Sequence, residues 1–240
     1  MRYIIADIHG CYEEYKELLA KINFSQDDKL YILGDAMDRG PEPIKVIRDI
    51  MARPNATYII GNHDFIMLQL MKKLTVEITE DNFDSHLFGN NILAYNLWMQ
   101  DGGGVTSRQF AVLPREEQQD ILEYLENGLV YEVLEDKERR FVLVHAGIRN
   151  FNENKHLDEY DYLDFIYERP DYGKRYYRDD KTYVVTGHTP TFYINPNWKT
   201  DVYQGNGHIA IDCGCVFGGK LAAYCIETGE ITYVKSRKAK

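Results

Sequence analysis

Five short apolar runs in this chain each end on a polar cluster, and that recurrence constrains the fold more than any other feature. The runs at residues 2–6, 29–33, 57–60, 141–144 and 183–186 are aliphatic and partly β-branched, as strands are. Asp7-Ile8-His9-Gly10 follows the first, and Gly34-Asp35-Ala36-Met37-Asp38-Arg39-Gly40 the second. Gly61-Asn62-His63-Asp64 follows the third, His145-Ala146-Gly147 the fourth and Gly187-His188-Thr189-Pro190 the fifth. In open α/β sheets, ligands bind outside the carboxyl ends of the strands. Five such junctions therefore point at one shared cleft, and the glycines let the backbone turn sharply and approach a ligand there.

Helical spacing fills the intervals. Apolar residues recur at Leu18, Leu19 and Ile22 after Tyr15. Pro41 suits a first helical position, with Ile44, Ile47, Ile50 and Met51 on one face of the helix that follows. Residues 65–73 look helical, and so does most of 75–128, where Pro114 opens a helix and Gly128 closes it. Strands at 209–212, 221–226 and 231–234 read as a closing β meander, with Thr228-Gly229 as a tight hairpin. The pattern is βαβαβ followed by β, a layered α/β domain with helices covering sheet faces. No linker divides it, so one domain is expected over 1–234, with a solvated basic tail at 235–240 carrying Lys235, Arg237, Lys238 and Lys240.

Composition removes several classes. Aromatics make up 13% of the 240 residues, which excludes general disorder, and no run approaches the ~20 apolar residues of a membrane span. The net charge of −10 argues against a nucleic-acid partner. Met1-Arg2 leads directly into a strand, with no signal peptide. Cys11, Cys213, Cys215 and Cys225 form no C-x-x-C pair, so they read as free thiols of a cytoplasmic protein, with Cys213 and Cys215 packing along a strand.

The donors gathered at the junctions are Asp7, His9, Asp35, Asn62, His145 and His188. Carboxylate, amide and imidazole without thiolate suit Mn²⁺, Fe or Zn²⁺ rather than Cu(I) or an iron–sulfur cluster. Six are too many for one tetrahedral ion and fit two ions sharing a carboxylate, an arrangement that stabilises both oxygens of an in-line displacement. His86, His156 and His208 fall outside the pattern and read as surface or packing residues. No C-x5-R phosphate loop is present, because Cys11 is followed by Tyr12-Glu13, which argues against a cysteine phosphatase.

The ordered motifs D-x-H-G, G-D-x-x-D-R-G, G-N-H-D, H-A-G and G-H-T-P resemble the calcineurin-like metallophosphoesterases, and within them the small bacterial and phage protein-serine/threonine phosphatases. The resemblance runs from about residue 1 to 226 and takes in Asp101-Gly102-Gly103, Ile211-Asp212-Cys213-Gly214 and Val216-Phe217-Gly218-Gly219. It implies two packed mixed β-sheets flanked by helices, a four-layer sandwich. It also implies one metal on Asp7, His9 and Asp35 and a second on Asp35, Asn62, His145 and His188, with Mn²⁺ the leading ion. His63 then resembles the family's general acid, held by Asp38, with in-line attack by a hydroxide bridging the metals. Arg39 would bind phosphoryl oxygens bidentately, joined by a second arginine, for which Arg169 fits better than Arg149 or Arg175.

Two positions bear on substrate. Pro190 stands where many metallophosphoesterases, nucleases among them, carry a second histidine, which is the protein-phosphatase pattern. Asp64 stands where protein phosphatases usually carry Glu, a form shared with the sister family of bacterial diadenosine tetraphosphatases; those typically lack the residue that is Asp38 here. The sequence reading therefore favours phosphomonoesters, with protein phosphoserine and phosphothreonine leading. A dinucleoside polyphosphate is the alternative. A binding module that has lost catalysis fits least, because the ligands, His63, Asp38 and Arg39 are all present.

Overall fold

A computed structural model describes residues 1–76 and 90–238; His86 and Lys240 lie outside the described residues. The first half runs β1 (Arg2–Ile5), α1 (Tyr12–Lys21), β2 (Lys29–Leu33), α2 (Pro43–Met51), β3 (Ala56–Ile59) and α3 (Asn62–Leu74). Three helices follow: α4 (Asn90–Trp98), α5 (Gly104–Ala111) and α6 (Arg115–Glu126). The second half runs β4 (Tyr131–Asp136), β5 (Arg139–Val144), α7 (Leu163–Ile166), β6 (Thr182–Thr186), β7 (Tyr203–Gly205), β8 (His208–Ala210), β9 (Lys220–Cys225) and β10 (Ile231–Lys235).

These strands make two mixed five-stranded sheets, ordered β10-β9-β1-β2-β3 and β4-β5-β6-β8-β7. Side-chain alternation with period two decides the layering. Ile4, Tyr31, Leu33 and Ile59 from the first sheet meet Phe141, Leu143, Val185 and Ile209 from the second, forming the core between the sheets. The intervening residues Ile5, Leu30, Ile32, Val142, Val144 and Val184 belong to the larger core beneath the helices, with Leu18, Ile47, Leu125 and Phe165. Strands buried on both faces read as unbroken apolar runs, which is how they appear in the sequence. The result is the expected pair of mixed sheets flanked by helices.

Three sequence expectations are corrected. Pro43, not Pro41, opens α2, because Gly40 N–H donates to Asp38 O (2.7 Å) and Glu42 N–H to Gly10 O (3.0 Å), which keeps residues 40–42 in the junction. The chain end is not a meander. β8 runs parallel to β6 in the second sheet, whereas β9 pairs antiparallel with β1 and β10 in the first. A 3₁₀ turn, Cys215–Phe217, flanked by left-handed Gly214 and Gly218, carries the chain between the sheets. Edge strands β4 and β7 were not anticipated: β4 mixes glutamates and aspartate with half-buried apolar residues, and β7 has three residues. The Thr228-Gly229 hairpin forms as expected, with Gly229 N–H donating to Cys225 O (2.8 Å). All four cysteines are free and buried. No helix among the described residues is long and apolar enough to cross a membrane.

Candidate active site

The five junctions lie at the carboxyl ends of β1, β2, β3, β5 and β6; backbone bonds tie the first to the second and the fourth to the fifth, and the carboxylates of Asp7, Asp35 and Asp64 tie in the rest. Asp7 N–H donates to Gly34 O (3.2 Å), His9 N–H to Asp35 O (2.8 Å) and Gly187 N–H to His145 O (2.8 Å). Asp7, His9, Asp35, Asp38, Arg39 and His188 all hold φ between 44° and 69°. Residues other than glycine rarely adopt this region, and such strain concentrates at functional sites, where surrounding structure enforces it.

Asp35 is central. Its Oδ1 accepts His63 N–H (3.0 Å) and lies 3.5 Å from His145 Nε2, while its Oδ2 lies 3.5 Å from His9 Nε2. Burial opposes its charge, but the surrounding imidazoles, His145 foremost, outweigh burial and hold the carboxyl below its ordinary pKa. A Cβ on residue 61 would collide with Asp35 Oδ1, so Gly61 is what lets the end of β3 pass this carboxylate.

Asp64 shares the Gly-Asn-His-Asp motif but serves the scaffold. Its Oδ2 accepts Asp35 N–H (2.7 Å), Gly61 N–H (3.0 Å) and the Tyr58 hydroxyl (2.6 Å), and its Oδ1 accepts Met37 N–H (3.2 Å). It therefore pins the Asp35 loop to the first turn of α3. Burial, and then the charge of Asp35, raise its pKa to about 6.

Ligating atoms of Asp35, His145 and His188 lie within 4.8 Å of one another, as do those of His9, Asp35 and His63. Asn62 Oδ1 joins the first set, 3.0 Å from His145 Nε2 and 2.8 Å from His188 Nδ1. Asp7 stands one step away, its two oxygens accepting His188 N–H (3.1 and 3.0 Å). This donor set fits divalent cations. His9 Nδ1–H donates to Met37 O (2.7 Å) and His145 Nδ1–H to Leu33 O (2.7 Å), so the Nε2 atoms turn toward the carboxylates. Burial lowers the pKa of both His9 and His188 to about 3, leaving neutral rings with a lone pair to give. Burial, and then neighbouring carboxylates, raise Asp7 well above its ordinary value. Burial likewise raises Asp212 to about 7, with Asp35 adding to it. Neutral rings and mutually repelling buried carboxylates are what a cation would hold together.

Beside this set, His63 Nδ1–H donates to Asp38 Oδ2 (2.8 Å), and Trp98 Nε1–H donates to the same oxygen (2.7 Å). Burial opposes the charge of His63, but Asp35 and Asp38 outweigh it and raise its pKa. Arg39 Nη1 donates to His9 Nε2 (2.7 Å) and Nη2 to Asp101 Oδ1 (3.1 Å). Arg169 lines the same cavity of about 380 Å³ as Asp35, Arg39, His63 and His188. Arg149 instead faces Glu168, and Arg175 donates to the carbonyls of Tyr177 and Asp179. His208 lies outside the cleft, with Nε2 donating to Lys174 O (2.7 Å), and His156 begins a 3₁₀ turn.

Three residues at the site lie outside the motif pattern of the donors: Trp98, Asp101 and Asp212. Trp98 and Asp101 arrive from α4 and the kinked segment Met99–Gly103, whose backbone is non-helical at Asp101 and Gly102, which nothing in the five-junction pattern announces. Asp212 carried a usable signal: it follows β8 as Asp7 follows β1, but it reads as part of the strand.

Residues 3–234 match the family described as calcineurin-like phosphoesterase. The chain belongs to that family. As a calcineurin-like phosphoesterase it is a metallophosphoesterase, and the family's two-metal chemistry accords with the donor set around Asp35. It is 30% identical to the asymmetrical bis(5′-nucleosyl)-tetraphosphatase PrpE of Oceanobacillus iheyensis, over 98% of this chain and 92% of that one. The Geobacillus thermodenitrificans PrpE is 31% identical, over 92% and 88%. Among solved structures, a provisionally assigned diadenosine tetraphosphatase superposes with a TM-score of 0.66 at 22% identity, over 99% and 94% of the two chains. A Saccharomyces cerevisiae protein serine/threonine phosphatase shares the fold, with a TM-score of 0.52 at 10% identity, over 100% and 80%.

Proposed function

We propose that this metallophosphoesterase hydrolyses dinucleoside polyphosphates, with Mn²⁺ as its working ion. One observation carries the substrate class: PrpE-type tetraphosphatases align along 92–98% of the chain rather than over the metal motifs alone. In this reading Asp7, His9, Asp35, Asn62, His145 and His188 would hold two divalent ions. Such ions act as Lewis acids and lower the pKa of water from 15.7 to about 7.

The remaining chemistry belongs to side chains. Arg39 and Arg169 bind phosphoryl oxygens, and a guanidinium can do so bidentately where an ammonium cannot. Arg39 reaches the phosphate by exchanging its bonds to His9 and Asp101. His63 gives its Nε2 proton to the departing oxygen, and a placed proton donor of this kind is worth ~10²–10⁴ in rate. Asp38 fixes the imidazole through Nδ1, and Trp98 fixes Asp38. Asp64 keeps the Asp35 loop seated while the cleft fills.

A second reading, hydrolysis of protein phosphoserine and phosphothreonine, is favoured by the His63–Asp38–Trp98 relay. An alkoxide needs a proton more than a departing nucleotide does. The deciding measurement is kcat/KM for diadenosine tetraphosphate and for a phosphothreonine peptide, under identical Mn²⁺. At least a tenfold preference for the dinucleotide is expected; a tenfold preference for the peptide installs the second reading instead.

A further inference from the structure

Beside the phosphate cleft stands a cluster of aromatic rings that takes no part in metal binding or proton transfer. Phe217, Tyr193 and Trp198 are 51%, 62% and 70% exposed, among the most exposed large apolar side chains described. They surround half-buried Phe192, whose ring centroid lies 4.5 Å from Tyr193, 6.2 Å from Trp198 in a stacked pair and 6.3 Å from Phe217. Leaving this much aromatic surface in water is unfavourable unless something covers it.

The cluster is built rather than incidental. Thr191 N–H donates to Asp212 O (2.7 Å), fastening the loop beside the buried carboxylates. Asn195 Nδ2 donates to the carbonyls of Lys199 (3.2 Å) and Asp201 (2.6 Å), closing the loop around Trp198. Asn197 and Trp198 both hold positive φ, 58° and 56°, so the exposed indole is carried on strained backbone. The cluster is also continuous with the phosphate site. Phe192, Tyr193 and Phe217 line the cavity that holds Asp35, His63 and Arg169, and the Arg39 guanidinium stands 5.3 Å from the Phe217 centroid.

We infer that Phe192, Tyr193, Trp198 and Phe217 form a stacking platform for a nucleobase of the substrate. This rests on the dinucleotide reading above and deepens it. Flat rings beside an arginine and a phosphate site suit a flat base joined to a phosphate chain. A rigid platform is ordered before the ligand arrives, so little is lost on binding. Stacking on an aromatic side chain tolerates any base, so the platform should confer preference for nucleosides over bare phosphates without choosing among bases.

The test uses the Mn²⁺-loaded protein with ADP and inorganic pyrophosphate as probes. The sequence has two tryptophans, buried Trp98 and exposed Trp198, so the difference in emission between wild type and Trp198→Phe reports on the platform. ADP should quench that emission and pyrophosphate should not. Read by titration calorimetry, which needs no Trp198, Tyr193→Ala and Trp198→Ala should each weaken ADP binding on the order of tenfold and leave pyrophosphate affinity within about twofold. Trp198→Phe should restore ADP affinity without the quench. Equal ADP affinity in wild type and both alanine variants would overturn the platform. So would quenching by a phosphothreonine peptide but not by ADP. Steady-state kinetics separate the two levels. If wild type prefers the phosphopeptide to diadenosine tetraphosphate, the functional reading fails. If the dinucleotide is preferred but its KM is unmoved in the alanine variants, the platform alone fails.

Discussion

The substitution Asp38→Asn isolates the charge in the proton-donating relay. Asp38 is fully buried, and one oxygen, Oδ2, accepts both His63 Nδ1–H (2.8 Å) and Trp98 Nε1–H (2.7 Å), while Oδ1 has no partner. An asparagine can therefore place its carbonyl where Oδ2 was and its amide where Oδ1 was, keeping both bonds and losing only the charge. A charge-assisted hydrogen bond is roughly twice as strong as a neutral one, and bonds to charged groups are worth ~1.5–3 kcal/mol. Only the bond to His63 bears on the proton transfer, since the Trp98 bond is the same in ground and transition states; losing about half of that one bond, in a step where each ~1.4 kcal/mol is tenfold, gives a kcat lower by roughly 3–10-fold. Asp38→Ala removes the orientation as well and should approach the full ~10²–10⁴ of a general acid.

The pH profile gives the sign independently. Asp38 helps raise the pKa of His63 against burial. A proton donor works below its pKa, so activity falls as pH rises through it. Removing the Asp38 charge lowers that pKa and must move the alkaline limb of kcat to lower pH. The assay is kcat against pH for an alkyl phosphate, an aryl phosphate and the dinucleotide, with metal content checked in each variant. Losses should be largest for the alkyl phosphate, whose leaving group is the strongest base. Equal losses on all three, or an alkaline limb that moves upward, would remove His63 and Asp38 from this role.

Other outcomes follow from the same geometry. Stripping metal with a chelator should lower the melting temperature, since Asp7, Asp35 and Asp212 then crowd together unneutralised; restoring Mn²⁺ at about 100 times its Kd should return ~2.7 kcal/mol, read by calorimetry. Tyr58→Phe deletes the hydroxyl that donates to Asp64 Oδ2 (2.6 Å) and accepts Ala36 N–H (3.3 Å), and urea titration should show a loss of ~1.5–3 kcal/mol. Gly103→Ala places a Cβ 2.2 Å from the Trp98 indole, so it should displace the indole from Asp38 and reproduce much of the kcat loss of Asp38→Ala; a variant with unchanged kcat would contradict that packing. Arg169→Lys should raise KM for a phosphoester more than it lowers kcat, because an ammonium keeps the charge and loses the bidentate grip.

What the sequence discloses and what it hides divide along one physical line. The five junctions are legible because the same local rule makes each of them: an apolar strand must end, and the residue after it enters the cleft. Asp7, Asp35 and His188 are found by that rule without knowing what pairs with what. The partners that make the site work come by a different route. Trp98 is a helix residue whose indole reaches Asp38 across 60 positions of sequence. Asp101 meets Arg39 because the chain kinks at Asp101 and Gly102, between α4 and α5, with Arg39 N–H donating to Gly102 O (3.0 Å). Asp64 shows what a motif alone hides. Its place in the motif suggests a part in substrate choice, yet its carboxylate is spent on three backbone amides and a phenol that hold the Asp35 loop. A shorter acid at that position is therefore a statement about how far the Asp35 loop stands from α3. The exposed rings at Tyr193, Trp198 and Phe217, to which the nucleobase proposal assigns a part in substrate choice, are likewise unmarked by periodicity and read in sequence as ordinary loop residues.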